Sequence, residues 1–402
     1  MRHPVGGGER DSGHVRNCMG HGVPDTSPWP AAAGRLSLVD LSRSTEELQM
    51  GSGQTVAVFG AYGHTGRFVV TELRDRGFVP LLLGRDAGKL QALAASHPGL
   101  EYRVASVDDP ASLDQALKDA AAVINCAGPF ASTVAPVIEA ALRTGVPYVD
   151  VAAEIEANLD TFTHFTARAQ TAGVAVVPAM AFFGGLGDLL VTTAMGDWMA
   201  ADEAHIAYGL SSWHPTAGTL ASGTVSRERR DGQRVRYTGG RLEYYVDECD
   251  LPTLEWDFPA PIGRRTVLGE FTMADVVTVP SHLSIPEVRT YMTTDAAKDL
   301  AAPDTPAPTA VDERGRSAQT FTVDVIVRSG DTQRRVVASG QDIYAISAPL
   351  AVEAVHRILG SQTRTSGVAS AGKIFDAPDF LRALSAHISL EPRHESRAPQ
   401  FS

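Results

Sequence analysis

A chain of 402 residues exceeds what one hydrophobic core usually organises, so two domains and a tail are expected. Hydrophobic residues make up 44% and charged residues 20%, and no apolar run nears the ~20 residues that span a bilayer, which argues against a membrane protein. A formal net charge of -12 disfavours nucleic acid as a partner, and three scattered cysteines exclude a disulfide framework or zinc cluster, so a cytoplasmic setting is expected.

Residues 1–49 are rich in Gly, Ser, Pro and Arg without a sustained period and read as a disordered extension, with room for one helical turn at 44–49. Met50 directly precedes the first strand, so a shorter product starting there is an expectation that intact-mass measurement checks. From residue 54 short β-branched runs alternate with helical segments. Strands are expected at 55–60, 79–83, 101–106, 121–126, 147–151 and 174–177. Helices are expected at 65–76, 87–95, 132–144 and 159–172, and one more is entered at Asp109-Pro110. Repeated β-α units of this kind specify an α/β fold, a Rossmann-type doubly wound parallel sheet.

After Pro178 the rhythm changes: 185–200 reads as helix, then strand-like runs follow at 204–211, 233–246, 265–271, 287–293, 321–327 and 334–339, with a loop at 301–307. This predicts a second α+β domain. Helical period returns at 348–359, and 378–387 is a short helix before a polar tail. The expected division is a disordered extension at 1–49, a dinucleotide-binding domain at 50–180, an α+β substrate and dimerisation domain at 181–347, and C-terminal helices at 348–390 packing back on the first domain.

The first strand ends in Gly60-Ala61-Tyr62-Gly63-His64-Thr65-Gly66 and a helix follows. A glycine triplet in that setting is a phosphate-binding turn: Gly60 permits the tight turn, Gly63 admits the pyrophosphate, and Gly66 lets the helix approach the strand. Arg85 follows the second strand, where NAD sites usually carry an acid, and a guanidinium there matches a 2′-phosphate, so NADP is favoured over NAD. Asp86, one residue later, either reads the ribose or caps the next helix. Asp108 is placed to meet the adenine or to cap. Asn125, Cys126, Ala127 and Gly128 follow strand four, where small residues leave room for the nicotinamide ribose, and Cys126 reads as a small packed hydrophobe more than a nucleophile. Tyr62 either lines the nicotinamide or covers the turn.

Hydride transfer is the nicotinamide's own chemistry, which leaves the protein to place the acceptor and manage one proton. Candidates for that work follow strands four to six. Asp150 and Glu154 are acids at and after the end of strand five, placed to orient an amine or imine or to donate a proton; the plain readings are a bond to the backbone of a neighbouring loop for Asp150 and an N-cap or first-turn acid of the next helix for Glu154. His214, after the first strand of the second domain, is the histidine to test as proton donor, against the plain reading of an exposed loop residue. Residues 179–188 (AMAFFGGLGD) read as a hinge. No metal-ligand cluster and no nucleophile elbow occur in the sequence, so no metal is expected.

The segments GAYGHTGRF (60–68), GRDAGKL (84–90), NCAGPF (125–130) and YVDVAAE (148–154) together resemble the NADP-binding domain of the saccharopine dehydrogenase-like oxidoreductases. The resemblance continues in GQDIYA (340–345) and GVASAGKIFDAPDFLRAL (367–384), covering residues 54–386. It implies an NADPH-dependent enzyme that transfers hydride to a C=N bond of a small metabolite. The alternatives are an enoyl (C=C) reductase, as relatives are, or a non-catalytic protein sensing NADP(H). A small-molecule substrate and a homodimer are the expected partners.

Overall fold

The computed structural model describes residues 53–246 and 251–397. The extension at 1–49, the start at Met50, Cys18 and Cys249 lie outside the described residues.

Six parallel strands form the first sheet: β1 Thr55–Phe59, β2 Val79–Gly84, β3 Tyr102–Val104, β4 Ala122–Asn125, β5 Tyr148–Asp150 and β6 Val176–Val177, in the order β3-β2-β1-β4-β5-β6. The central strands are apolar on both faces because helices cover both: α1 His64–Asp75, α2 Ala87–Ser96, α3 Pro110–Leu117, α4 Phe130–Thr144 and α5 Ile155–Ala172. Local chemistry fixes their ends. Asp86 and Asp109 accept amides at the starts of α2 and α3, while Gly145 and Gly173, at φ 71° and 66°, stop α4 and α5. The order reverses between β1 and β4, and the ends of those strands open the crevice in which such sheets bind ligands.

An irregular turn, Phe182–Leu186, leads into α6 Gly187–Met195. The second sheet is mixed, running β10 Thr253–Asp257, β11 Arg264–Gly269, β12 Glu287–Thr293, β7 Glu203–Leu210, β13 Thr320–Ser329, β14 Thr332–Gln341 and β15 Ile388–Arg397. Strands β12 and β7 are parallel and their neighbours antiparallel. The hairpin of β8 Arg234–Thr238 and β9 Arg241–Tyr245 attaches to β12. The helical pieces are α7 Ala217–Arg229, α8 Asp275–Thr278, α9 Thr294–Ala301, α10 Ser347–Leu359, α11 Ala371–Ile374 and α12 Ala377–Ala383. One continuous core joins this sheet and α6 to the inner face of the parallel sheet. Helix α10 lies on α1, where Glu72, Arg76, Glu353 and Arg357 alternate in a chain of ion pairs.

The structure departs from the sequence expectations at several places. Residues 233–246 fold as a hairpin and not one strand, because Gly239 and Gly240, at φ 56° and 77°, take the left-handed conformations of a two-residue turn. Helix α5 begins at Ile155, four residues before the expected 159. The polar tail after the last helix is β15, an edge strand too exposed to show apolar alternation. Helix α7, inside a stretch read as strand-rich, has no counterpart in the expected elements.

Candidate functional site

The glycine turn is a backbone cradle. Gly60 sits at φ +85°, and a Cβ there would lie 2.8 Å from the Ala127 amide nitrogen, so the turns after β1 and β4 touch through their main chains. A Cβ on Gly66 would lie 2.3 Å from the Gly60 carbonyl oxygen, which bars any side chain. No side chain caps α1, leaving its first amides directed at the space above the turn, the arrangement that receives an anion.

Tyr62 does not point toward β4. Its ring covers Gly84 at the end of β2, where a Cβ would approach its Cε1 to 2.6 Å, and the Lys89 ammonium stands 5.6 Å from its centroid. Arg85, exposed, opens onto the same cavity, whereas Asp86 spends its carboxylate on the Lys89 amide at 3.0 Å. Asp108 lines the cavity past β3, beside Ser106.

Past β4 the lining is Cys126, Ala127 and Gly128, while Asn125 is fully buried beneath them. Its amide nitrogen donates to Thr133 Oγ1 at 3.2 Å and Tyr148 Oη at 3.1 Å, and its Oδ1 accepts the Ala127 amide at 3.0 Å. Burial, then the charge of Asp150, drives the Cys126 thiol far above its usual range, so it stays protonated.

The three acid-base candidates are not brought together. Asp150 is enclosed below the cavity: Tyr148 Oη donates to it at 2.9 Å, and the amides of Ala152 and Ala179 at 2.9 and 2.8 Å. Burial pushes its pKa up to about 6 against those donors. Glu154 does line the cavity, but its carboxylate does not cap α5. It crosses to the start of α4, accepting the Phe130 amide at 2.8 Å and the Ala131 amide at 3.0 Å, so both oxygens are engaged. His214 is half-buried and its residue is not part of the lining, its carbonyl accepting from Tyr344 Oη at 3.3 Å.

The groups that do face the cavity include His64 and Tyr344, whose rings meet edge to face at 5.2 Å. Burial lowers the His64 pKa, Arg67 adding to this and Asp342 opposing it, and its Nε2 has no hydrogen-bond partner among the described residues. Tyr344 Oη accepts the Trp213 indole N–H at 3.1 Å and the Thr216 amide at 3.3 Å, and bonds Thr219 Oγ1 at 3.0 Å. These contacts secure the start of α7, which Thr216 caps through the Thr219 amide. The helix then passes over Gly128, where a Cβ would lie 2.9 Å from Ser222 Oγ. Its far end is tied to α5: Ser226 donates to Glu156 at 2.5 Å and Arg230 pairs with the same carboxylate at 3.1 Å. Sequence reasoning missed α7 and Tyr344; the Thr216–Thr219 capping spacing was the one available signal.

The cavity has a volume of about 1080 Å³ and is partly open to solvent. It runs from Arg85 and Asp108, over the glycine cradle and Cys126–Gly128, to an apolar wall from the 182–183 turn and the loops of the second sheet. The cradle, the uncapped α1 and Arg85 fit the pyrophosphate and 2′-phosphate of NADP. Among the described residues no group of three or more His, Cys, Asp or Glu side chains is placed to hold a metal, and no helix is long and apolar enough to cross a membrane.

Comparison with known proteins places this geometry. Residues 56–177 match the saccharopine dehydrogenase NADP-binding domain. The chain is 34% identical over 117 residues to the saccharopine dehydrogenase-like oxidoreductase of Homo sapiens, covering 25% of this chain and 27% of that protein. It is 29% identical over 145 residues to the Bos taurus protein of the same name, covering 32% and 34%. The matches thus span about a third or less of these relatives. The fold as a whole is similar to saccharopine dehydrogenase (L-Glu forming) of Saccharomyces cerevisiae, with TM-score 0.59 at 13% identity, over 86% of this chain and 100% of that one. Residues 56–177, with the cradle at their head, are thus similar to the saccharopine dehydrogenase NADP-binding domain, and the chain as a whole shares the fold of the yeast enzyme.

Proposed function

We propose that the protein is an NADPH-dependent reductase that passes hydride to a C=N bond of a small metabolite. The observation that carries this reading is the continuity of one cavity from the glycine cradle and Arg85 to a separate wall beyond β4, β5 and β6, where substrates of doubly wound sheets collect. In this reading the amides at the start of α1 hold the pyrophosphate, Arg85 holds the 2′-phosphate, Asp108 faces the adenine side, and Cys126–Gly128 leave space for the nicotinamide ribose. Bound NADPH supplies the hydride. The chain's own residues orient the acceptor and exclude water, with α7 closing over Gly128.

A protonated C=N bond becomes the amine on gaining hydride alone, with no further acid. That suits a site in which Glu154 and Asp150 are committed to backbone amides. Reduction of a conjugated C=C bond is the second reading, favoured by the apolar wall. Turnover with NADPH deuterated at the transferred position separates them: deuterium on the carbon bonded to nitrogen supports the first, and on a β-carbon the second. Absence of NADPH oxidation with every imine and enone refutes both and favours an NADP(H) sensor. A homodimer and a cytoplasmic setting complete the proposal, tested by light scattering and cell fractionation.

A further inference from the structure

The cavity has two unlike halves. Around the cradle the groups presented are backbone amides and Arg85. Opposite, the 182–183 turn and the second sheet present Phe183, Trp213, Phe271, Met273 and Leu300. Trp213 stacks on Phe183 with centroids 5.2 Å apart and planes at 28°, and lies 6.0 Å from Phe271. The indole is further fixed by its bond to Tyr344, so the aromatic part of the wall is preformed. Met273 and Leu300 are only half-buried and complete it.

Two polar groups near this half are already engaged, Glu154 by two amides and Tyr344 by the Trp213 and Thr216 donors. The arginines of the lining come from the end of α7 and from β8. Of these, Arg230 is paired with Glu156, and Glu228 and Glu270 line the same region beside Arg227 and Arg234. A substrate with two or more carboxylates would bring one of them against the wall without a partner, whereas an apolar group would replace water there.

We infer that the acceptor carries an aromatic or branched aliphatic body seated on the Phe183–Trp213–Phe271 wall, and at most one carboxylate. The inference rests on the reading of this cavity as a reductase site. The test titrates NADP-loaded protein calorimetrically with an aryl-substituted cyclic imine and with an imine dicarboxylate of similar size, and follows NADPH oxidation with each. The aryl compound is expected to bind at least tenfold more tightly. Met273→Glu and Leu300→Glu are each expected to weaken it tenfold or more, and Met273→Gln by less, with NADPH affinity retained as the check on folding. Equal or tighter binding of the dicarboxylate, or aryl binding unchanged in all variants that retain NADPH affinity, overturns the inference. Aryl binding with these losses but no hydride transfer upholds the wall's preference and refutes the reductase reading instead.

Discussion

Replacing Arg85 by alanine probes cofactor choice with the fold left alone. Arg85 lies at the end of β2, exposed, beside the ring of Tyr62 and on the cavity wall. A hydrogen bond between charged partners is worth about 1.5–3 kcal/mol when shielded, and an exposed guanidinium keeps less of that because water and salt screen it. The expected loss is therefore about 1–2 kcal/mol, or roughly 5–30-fold in the dissociation constant for NADPH. NADH lacks the 2′-phosphate and should bind equally well to both proteins. Lys89, already 3.7 Å from Asp86, retains some positive charge at the site and keeps the loss at this modest size. Fluorescence titration with both cofactors at two salt concentrations reads the effect, which should shrink at the higher one. An unchanged NADPH affinity, or equal losses for NADPH and NADH, refutes the assignment of Arg85 as the phosphate reader.

Gly66→Ala drives a methyl group into the Gly60 carbonyl oxygen, so α1 must move off β1; a stability loss of about 1–3 kcal/mol and the disappearance of cofactor binding are expected, read by urea unfolding and titration. Glu154→Gln keeps one acceptor for the two α4 amides and removes the charge, which should cost about 1–2 kcal/mol and raise the KM for NADPH more than it lowers kcat. A large fall in kcat at unchanged KM would instead make Glu154 an acid in the reaction. Asp275 is fully buried, takes the Tyr208 hydroxyl at 2.8 Å, and burial raises its pKa from 3.8 to about 6. The unfolded chain releases this proton first, so stability falls as pH rises between those values, by about 3 kcal/mol, and is level above them. Asp275→Asn should remove that share of the slope in urea midpoints, and an unchanged slope would refute it.

The parts of the site legible in the sequence are those where the backbone itself dictates the residue. Gly60 and Gly66 tolerate no Cβ, so the turn's geometry is written in residue identity. Strand and helix alternation is equally plain where both faces of a sheet are covered, as in β1, β2 and β4. Helix α7 is hidden for the opposite reason: Gly218, Ser222, Gly223 and Thr224 are poor helix formers, and the helix is held by contacts distant in sequence, Tyr344 at one end and Glu156 at the other. Side-chain direction is hidden too. Tyr62 lies in the glycine turn, yet packing on Gly84 carries its ring to the β2 side.

The acids at the strand ends serve the loops that carry the site's main-chain amides. A Rossmann site grips its ligand mainly with main-chain amides, and amides can be aimed only where the loops bearing them are fixed. Asn125 fixes the loop after β4, Asp150 joins the loops after β5 and β6 through Ala152 and Ala179, and Glu154 ties the start of α5 to the start of α4. Each is buried and bonded to backbone, which is what holds an amide in place and also what removes a carboxylate from proton transfer. On the proposed reading, the residues left to meet a substrate are the aromatic wall, Met273 and Leu300, the His64 imidazole and the small side chains of α7. On the same reading, selectivity for the acceptor resides in the second sheet and cofactor grip in the first. Substitutions in the wall should change which substrate reacts, and substitutions at Asn125, Asp150 or Glu154 should change how well any substrate does.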